Sequence, residues 1–155
     1  MWLEEHLRHR SGFGVHSPML YRVVREAMMP RKVKGEGQEL YNALRAVGVD
    51  RRSAVRLQNL FTLEGYTAWK IDEPAAKGQL AIATLRATTQ CVEQMAAECR
   101  TTPHSTLCIL HPIGSLARRR VCRSLVKSHL SMSASKPTFT LFFNRPDLKK
   151  QHIVI

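Results

Sequence analysis

Thr106-Leu107-Cys108-Ile109-Leu110, followed by His111-Pro112-Ile113-Gly114 and Ser115, is the stretch that decides the fold. The first five residues are apolar on both faces, which is typical of a central strand in a parallel sheet. The next four turn the chain, and the Ser115 side chain can cap the free N–H groups of a following helix. A buried strand that leads through a short turn into a helix predicts an α/β layer fold.

The helix predicted over 115–130 has two contrasting faces. Its apolar residues recur with the helical period and predict a buried stripe: Leu116, Ala117, Val121, Cys122, Leu125, Val126 and Leu130. Arg119, Arg123 and Lys127 are spaced four apart, with Arg118 and Arg120 beside them, and predict an exposed basic face. Such a face is either an ordinary solvated surface or a polyanion-binding surface whose affinity falls steeply with salt.

The N-terminal portion is predicted to be helical. Apolar spacing and breakers place helices over 2–10, 18–30, 38–47 and from Asp50 or Ser53 to Phe61. Ser17 can cap the second of these, and Pro18 suits its first turn. This helical lead-in is expected to occupy residues 1–61.

The remainder, residues 62–155, is predicted to form the sheet and its covering helices. Strands are expected over 62–71, 80–85 and 106–110, with a helix that begins at Thr88 or Thr89. Phe139 to Phe143 and His152 to Ile155 are predicted to form an antiparallel hairpin at a sheet edge, through the turn 144–150. The whole chain, 1–155, is therefore expected to be a single domain.

Composition bounds the class of protein. The chain has 155 residues and a formal net charge of +12, which suits one globular domain and excludes a multidomain enzyme. After Glu98 the only acidic residue is Asp147, so the positive field belongs mainly to the C-terminal portion. Four dispersed cysteines, no long apolar run and no signal-like leader predict a reduced, cytoplasmic protein without a membrane segment.

The sequence carries no motif of common catalytic chemistry. A GxSxG elbow, a phosphate-binding glycine loop and a full GxGxxG are missing, so the catalytic residues are unknown. His104, Cys108 and His111 could suggest a metal, but strand alternation separates them and no fourth ligand follows, so we predict no metal site. Aromatic residues make up 6% of the chain, which argues against sequence-specific nucleic-acid readout.

Two blocks of the chain resemble a known family. Arg8-His9-Arg10-Ser11-Gly12-Phe13-Gly14-Val15-His16-Ser17-Pro18-Met19-Leu20-Tyr21 is similar to the lead-in of bacterial, Bacteroides-type class I S-adenosylmethionine-dependent methyltransferases. Phe142-Phe143-Asn144-Arg145 and Lys150-Gln151-His152-Ile153-Val154-Ile155 resemble their closing edge hairpin. Leu107 to Ser115 sits where that family has a strand that ends in an acidic turn. The resemblance covers about half of the chain and implies a truncated, three-layer Rossmann-like sheet.

The resemblance also implies where S-adenosylmethionine would bind. Leu63-Glu64-Gly65-Tyr66 is the nearest candidate for the family's glycine turn after the first strand, so Glu64, Gly65 and His111 are the expected cofactor-binding residues. The departures are the loss of further glycines, Arg86 and Thr88 in place of a ribose-binding acid, and His111-Pro112 in place of the acidic turn. They imply a degenerate cofactor site that is weak or inactive.

Two alternatives stay open. One is an active methyltransferase with a rewired pocket, in which Glu64 and Gly65 hold the cofactor and the basic helix steers an anionic substrate. The other is a non-enzymatic module that binds a polyanion or nucleic acid through Arg119, Arg123 and Lys127.

Overall fold

The structure, a computed structural model, describes residues 17–155. The helix predicted over 2–10 and the part of the family-like block from Arg8 to His16 lie outside these residues. The described residues divide into two compact units, of which the second is Thr67–Ile153 and the first holds residues 17–66 together with Val154–Ile155. The sequence placed the change from helices to sheet at residue 62, whereas the last helix of the first unit continues to Glu64.

The first unit is helical, as predicted. Its elements are α1, Pro18–Val23, which continues as a π-helical turn over Val24–Met28, then α2, Glu39–Ala46, and α3, Arg51–Glu64. Ser17 accepts a hydrogen bond from the Leu20 N–H at 3.3 Å, and Asp50 accepts one from the Ser53 N–H at 3.0 Å. Both side chains satisfy N–H groups that a helix start leaves without partners, so the expected cap at Ser17 is confirmed and Asp50 acts in the same way.

The second unit is built on a mixed six-stranded sheet. Its strands are β1 (Ala68–Ile71), β2 (Gln79–Ala83), β3 (Thr106–Leu110), β4 (Met132–Lys136), β5 (Phe139–Phe143) and β6 (Gln151–Val154). The order across the sheet is β1-β2-β3-β5-β4-β6, with β1, β2 and β3 parallel and β5 antiparallel to both β3 and β4. The α/β class is confirmed, and the sheet is compatible with a Rossmann-like fold.

Two helices accompany the sheet, α4 (Thr89–Thr101) and α5 (Leu116–Ser128). Thr88 caps α4 through the Cys91 N–H, and Ser115 caps α5 through the Arg118 N–H, each at 3.1 Å. The apolar face of α4 packs with the inner strands into one buried cluster, whose members include Val92, Met95, Cys99, Leu107 and Ile109. Strand β3 is buried along its whole length, as expected of a central strand.

The predicted C-terminal hairpin is wrong. Phe139–Phe143 pairs with β3 and with β4, and the turn of the hairpin lies between Lys136 and Phe139 instead of over 144–150. Strand β6 lies at the edge beside β4, where the His152 ring contacts Ser133 Oγ at 2.7 Å and Ser135 Oγ at 3.1 Å. Met132–Lys136 was missed because it is rich in serine and lacks the β-branched and aromatic residues typical of strands.

Among residues 17–155, the structure holds no helix of the length and hydrophobicity that crossing a membrane requires.

Candidate functional site

The three parallel strands end at one edge of the sheet, and polar residues follow each of them. Asp72 follows β1, Thr84 follows β2 and His111 follows β3. Asp72 has a left-handed backbone with φ of 58°, and its N–H donates to the Ile82 carbonyl oxygen at an N···O distance of 2.8 Å. Its carboxylate accepts two hydrogen bonds from Thr84, one from the N–H and one from the hydroxyl, both at 2.7 Å. The Asp72 carboxylate therefore links the end of β1 to the end of β2 by hydrogen bonds.

Arg118 lies in the first turn of α5 and is 4% exposed. Its guanidinium donates to the carbonyl oxygen of Leu110 at 2.7 Å and 3.1 Å, and to that of Ala83 at 3.2 Å. It also donates to the Thr84 oxygen at 3.1 Å and the Ala87 oxygen at 3.4 Å. Backbone carbonyls at buried strand ends need donors, and here one guanidinium supplies them for β2, β3 and the loop that follows β2.

Burial lowers the pKa of Arg118, while the thiols of Cys122 and Cys108 and the Asp72 carboxylate act in the opposite direction. A guanidinium still remains charged at neutral pH because its ordinary pKa is so high. The carboxyl ends of β2 and β3 are thus occupied by a fixed positive group.

The expected position of Arg118 on the outer face of the helix is wrong. Within the predicted buried stripe, Cys122 is buried and Val121, Leu125 and Val126 are half-buried, whereas Ala117 is exposed. Leu116 and Leu130, at the two ends of the stripe, are 63% and 76% exposed. Arg118 stands one turn before Cys122 on the inward side, because the strand-end carbonyls require its donors.

Arg119, Arg123 and Lys127 lie on the exposed face of α5, as the helical period predicts. Arg120 is exposed with them. Among the described residues, none of these four cations has an acidic partner. At the far end of the helix, Lys150 Nζ donates to the Lys127 carbonyl oxygen at 2.7 Å and adds a further positive charge. The placement is confirmed, and polyanion binding stays a prediction.

Three large apolar side chains are exposed beside this basic face. Leu85 is 61% exposed, Ile113 is 59% exposed and Leu116 is 63% exposed. The loops that carry Leu85 and Ile113 lie side by side, since a Cβ added to Gly114 would stand 3.2 Å from Leu85 Cδ2. Arg118 holds both loops through its bonds to Ala87 and Leu110.

The residues expected to bind the cofactor are divided between the two units. Gly65 has a φ of 67° and ends α3 as its left-handed cap, so it precedes the first strand. The Glu64 carboxylate is 3.0 Å from the Arg22 guanidinium in an ion pair. His111, in the second unit, donates its N–H to the Thr138 carbonyl oxygen at 2.8 Å. The interpretation of Leu63-Glu64-Gly65-Tyr66 as the turn after the first strand is therefore wrong, because residues 72–78 form that turn.

The described residues contain no group of three or more His, Cys, Asp or Glu arranged to hold a metal ion. Cys108 is buried, and its burial raises the pKa of the thiol well above the ordinary range. Its side chain therefore packs in the core as an uncharged thiol.

Sequence reasoning missed Asp72, Thr84 and Arg118. Asp72 had an available signal, because Ile71-Asp72-Glu73-Pro74 puts an acid directly after the strand predicted over 62–71. Arg118 had no such signal, since it is one of three consecutive arginines.

Searches of protein-family models, of curated proteins and of solved structures each found no match to this chain.

Proposed function

We propose that the chain is a methyltransferase-like domain with a degenerate S-adenosylmethionine site, and that it works by binding a partner and not by transferring a methyl group. The Arg118 guanidinium at the carboxyl ends of β2 and β3 is the observation that carries this proposal. In open α/β sheets, ligands bind in the crevice outside the carboxyl ends of the strands. In this chain the carboxyl ends of β2 and β3 are occupied by an arginine that donates to four backbone carbonyls.

The carboxylate at this edge is also engaged. A class I methyltransferase holds the ribose hydroxyls with an acid after its second strand, whereas β2 is followed by Thr84, Leu85 and Arg86. Asp72, which follows β1, has both oxygens bonded to Thr84. Two of the roughly four acceptor sites of this carboxylate are therefore already used within the sheet, and the carboxylate follows β1 instead of β2.

The backbone after β1 lacks the small turn that a cofactor needs for close approach. The segment 72–78 contains Pro74, and its one glycine, Gly78, lies directly before β2. Gly78 has a φ of 73°, and Thr67 Oγ1 lies 3.7 Å from where its Cβ would be. Its left-handed conformation thus belongs to the entry into β2 and leaves the exit of β1 without a glycine turn.

Isothermal titration of the full chain with S-adenosylmethionine, and with its demethylated product, tests the proposal. We expect no saturable heat at cofactor concentrations up to about 1 mM, which corresponds to binding weaker than about 4 kcal/mol. Stoichiometric binding by the folded protein would overturn the proposal in favour of an active enzyme with a rewired pocket.

A methyl-transfer assay then identifies the residues of such a pocket. If cofactor binds, Glu64→Ala should abolish transfer of a labelled methyl group, whereas Glu39→Ala, an exposed acid at the start of α2, serves as the matched control. Equal turnover of the two variants would exclude Glu64 as the cofactor-binding acid.

A further inference from the structure

We infer that the outer face of α5 and the two loops beside it form a docking surface for an acidic, amphipathic polypeptide segment. The inference supplies the partner for the non-catalytic role proposed above and rests on it, but peptide binding and cofactor binding are measured separately. We call this surface the docking face, and its residues are Leu85, Ile113, Leu116, Arg119, Arg120, Arg123 and Lys127.

The apolar end of the docking face is exposed and held in place. Leu85, Ile113 and Leu116 each leave about three-fifths of their surface in solvent. The Arg118 guanidinium connects the loops that carry Leu85 and Ile113. It donates to the carbonyl oxygen of Ala87 in the first loop and to that of Leu110, which directly precedes the second loop. Clustered exposed aliphatic side chains mark interaction sites, and prior ordering of the loops lowers the entropic cost of binding.

The basic end continues along the helix from the apolar end. Leu116, Arg120, Arg123 and Lys127 follow one another at steps of four, three and four, which places them on one side of α5. Arg119 lies next to this row and is also exposed. The row from Leu116 to Lys127 is about 17 Å long at 1.5 Å per residue.

The charge of the docking face is of one sign. Neither α5 nor the loops 84–88 and 111–115 contain an acidic residue. Asp72, the carboxylate that contacts the first loop, is bonded to Thr84. Complementarity therefore requires an anionic partner, and arginine favours carboxylates or phosphates because its planar group can bond two oxygens at once.

The apolar end of the docking face favours a polypeptide over a nucleic acid as the binding partner. Single-stranded nucleic acids bind through phosphates and through bases that stack on aromatic side chains or arginine planes. The three apolar residues of the docking face are leucines and an isoleucine, which offer no flat surface to a base. An acidic segment with aliphatic anchors uses both ends of the face, and a helix of about 12 residues would match its length.

Fluorescence anisotropy with a labelled peptide tests the inference on the full chain. The probe is a synthetic peptide of about 12 residues with leucines on one helical side and glutamates on the other. A second peptide has serine in place of leucine, and a third probe is a single-stranded RNA of equal charge. We expect the leucine–glutamate peptide to bind most tightly, and the serine peptide and the RNA at least about 10-fold more weakly.

Paired variants locate the binding surface. Leu85→Ser with Leu116→Ser should weaken binding about 10-fold, and Leu130→Ser is the control because Leu130 is exposed at the other end of α5. Arg120→Glu with Arg123→Glu should also weaken binding about 10-fold, with Lys32→Glu and Lys34→Glu as the control of equal charge change. All seven mutated positions, four charged and three leucine, are exposed, so circular dichroism should show unchanged folding.

Three results would overturn the inference. The first is no saturable binding of the leucine–glutamate peptide. The second is equal loss in the surface variants and in their controls, which would leave only general charge attraction. The third is tighter binding of the RNA, with affinity lost in the arginine variant and kept in the leucine variant, which would make the face a phosphate-binding surface.

Discussion

Replacing Arg118 by methionine should destabilise the protein by about 3 kcal/mol. Methionine keeps most of the length of the side chain and removes every donor, so the carbonyls of Ala83, Thr84 and Leu110 lose a partner at buried positions. Each buried acceptor left without a donor costs about 1 to 3 kcal/mol. Removal of a buried guanidinium recovers part of its desolvation cost, which brings the net loss to about 3 kcal/mol.

Urea unfolding, followed by tryptophan fluorescence and by circular dichroism, measures this change. Trp69 lies in β1 and reports on the sheet directly. Arg119→Met is the matched control, since Arg119 is exposed one residue away and its loss should change the free energy of unfolding by less than about 0.5 kcal/mol. A difference of less than about 1 kcal/mol between the two variants would refute the view that the guanidinium satisfies the strand ends.

Three further outcomes are expected. Asp72→Ala should lower the free energy of unfolding by about 1 to 3 kcal/mol, because the buried Thr84 N–H loses its acceptor. Glu73→Ala, the control, should be nearly neutral, and equal urea midpoints of the two variants would contradict this expectation. Burial lowers the pKa of His129, so the folded state binds fewer protons than the unfolded one, and stability should fall as pH drops below about 6.5. His129→Gln should flatten that pH dependence in thermal melts, and an unchanged slope would show that another group is responsible. Burial raises the pKa of Cys122 to about 11, so at pH 8 iodoacetamide should label it only after unfolding, as followed by mass spectrometry of the peptide. Labelling of native Cys122 as fast as in urea would show that it is accessible as a thiolate.

The local sequence pattern was sufficient to predict the elements whose burial or exposure follows from their own residue types. Strand β3 is apolar in four of its five residues, and its burial on both faces follows from that composition. The caps at Ser17, Thr88 and Ser115 lie where a hydroxyl precedes a helical run. The exposed face of Arg119, Arg123 and Lys127 follows from helical spacing alone.

The local sequence pattern did not predict the position of residues whose hydrogen-bond partners are distant in the sequence. Strand β4 places Ser133 and Ser135 within hydrogen-bond distance of the His152 ring, and no local signal in Met132–Lys136 predicts that contact. Arg118 turns inward because carbonyls at the ends of two strands need donors, a requirement that exists only once the sheet is assembled. A glycine such as Gly65 is equally typical of a turn after a strand and of the end of a helix, and only the extension of α3 to Glu64 shows that it ends a helix.

The position of β5 has a consequence for how the polypeptide emerges from the ribosome. This strand lies inside the sheet between β3 and β4, yet it is synthesised after α5 and β4. Until Phe143 has been added, β3 presents an unpaired edge whose residues are apolar on both sides. Such edges recruit strands from other chains, so any nascent or truncated product that stops between Leu110 and Phe143 should be prone to aggregation. The second unit is in this sense indivisible: its central strands are completed by a segment that arrives late.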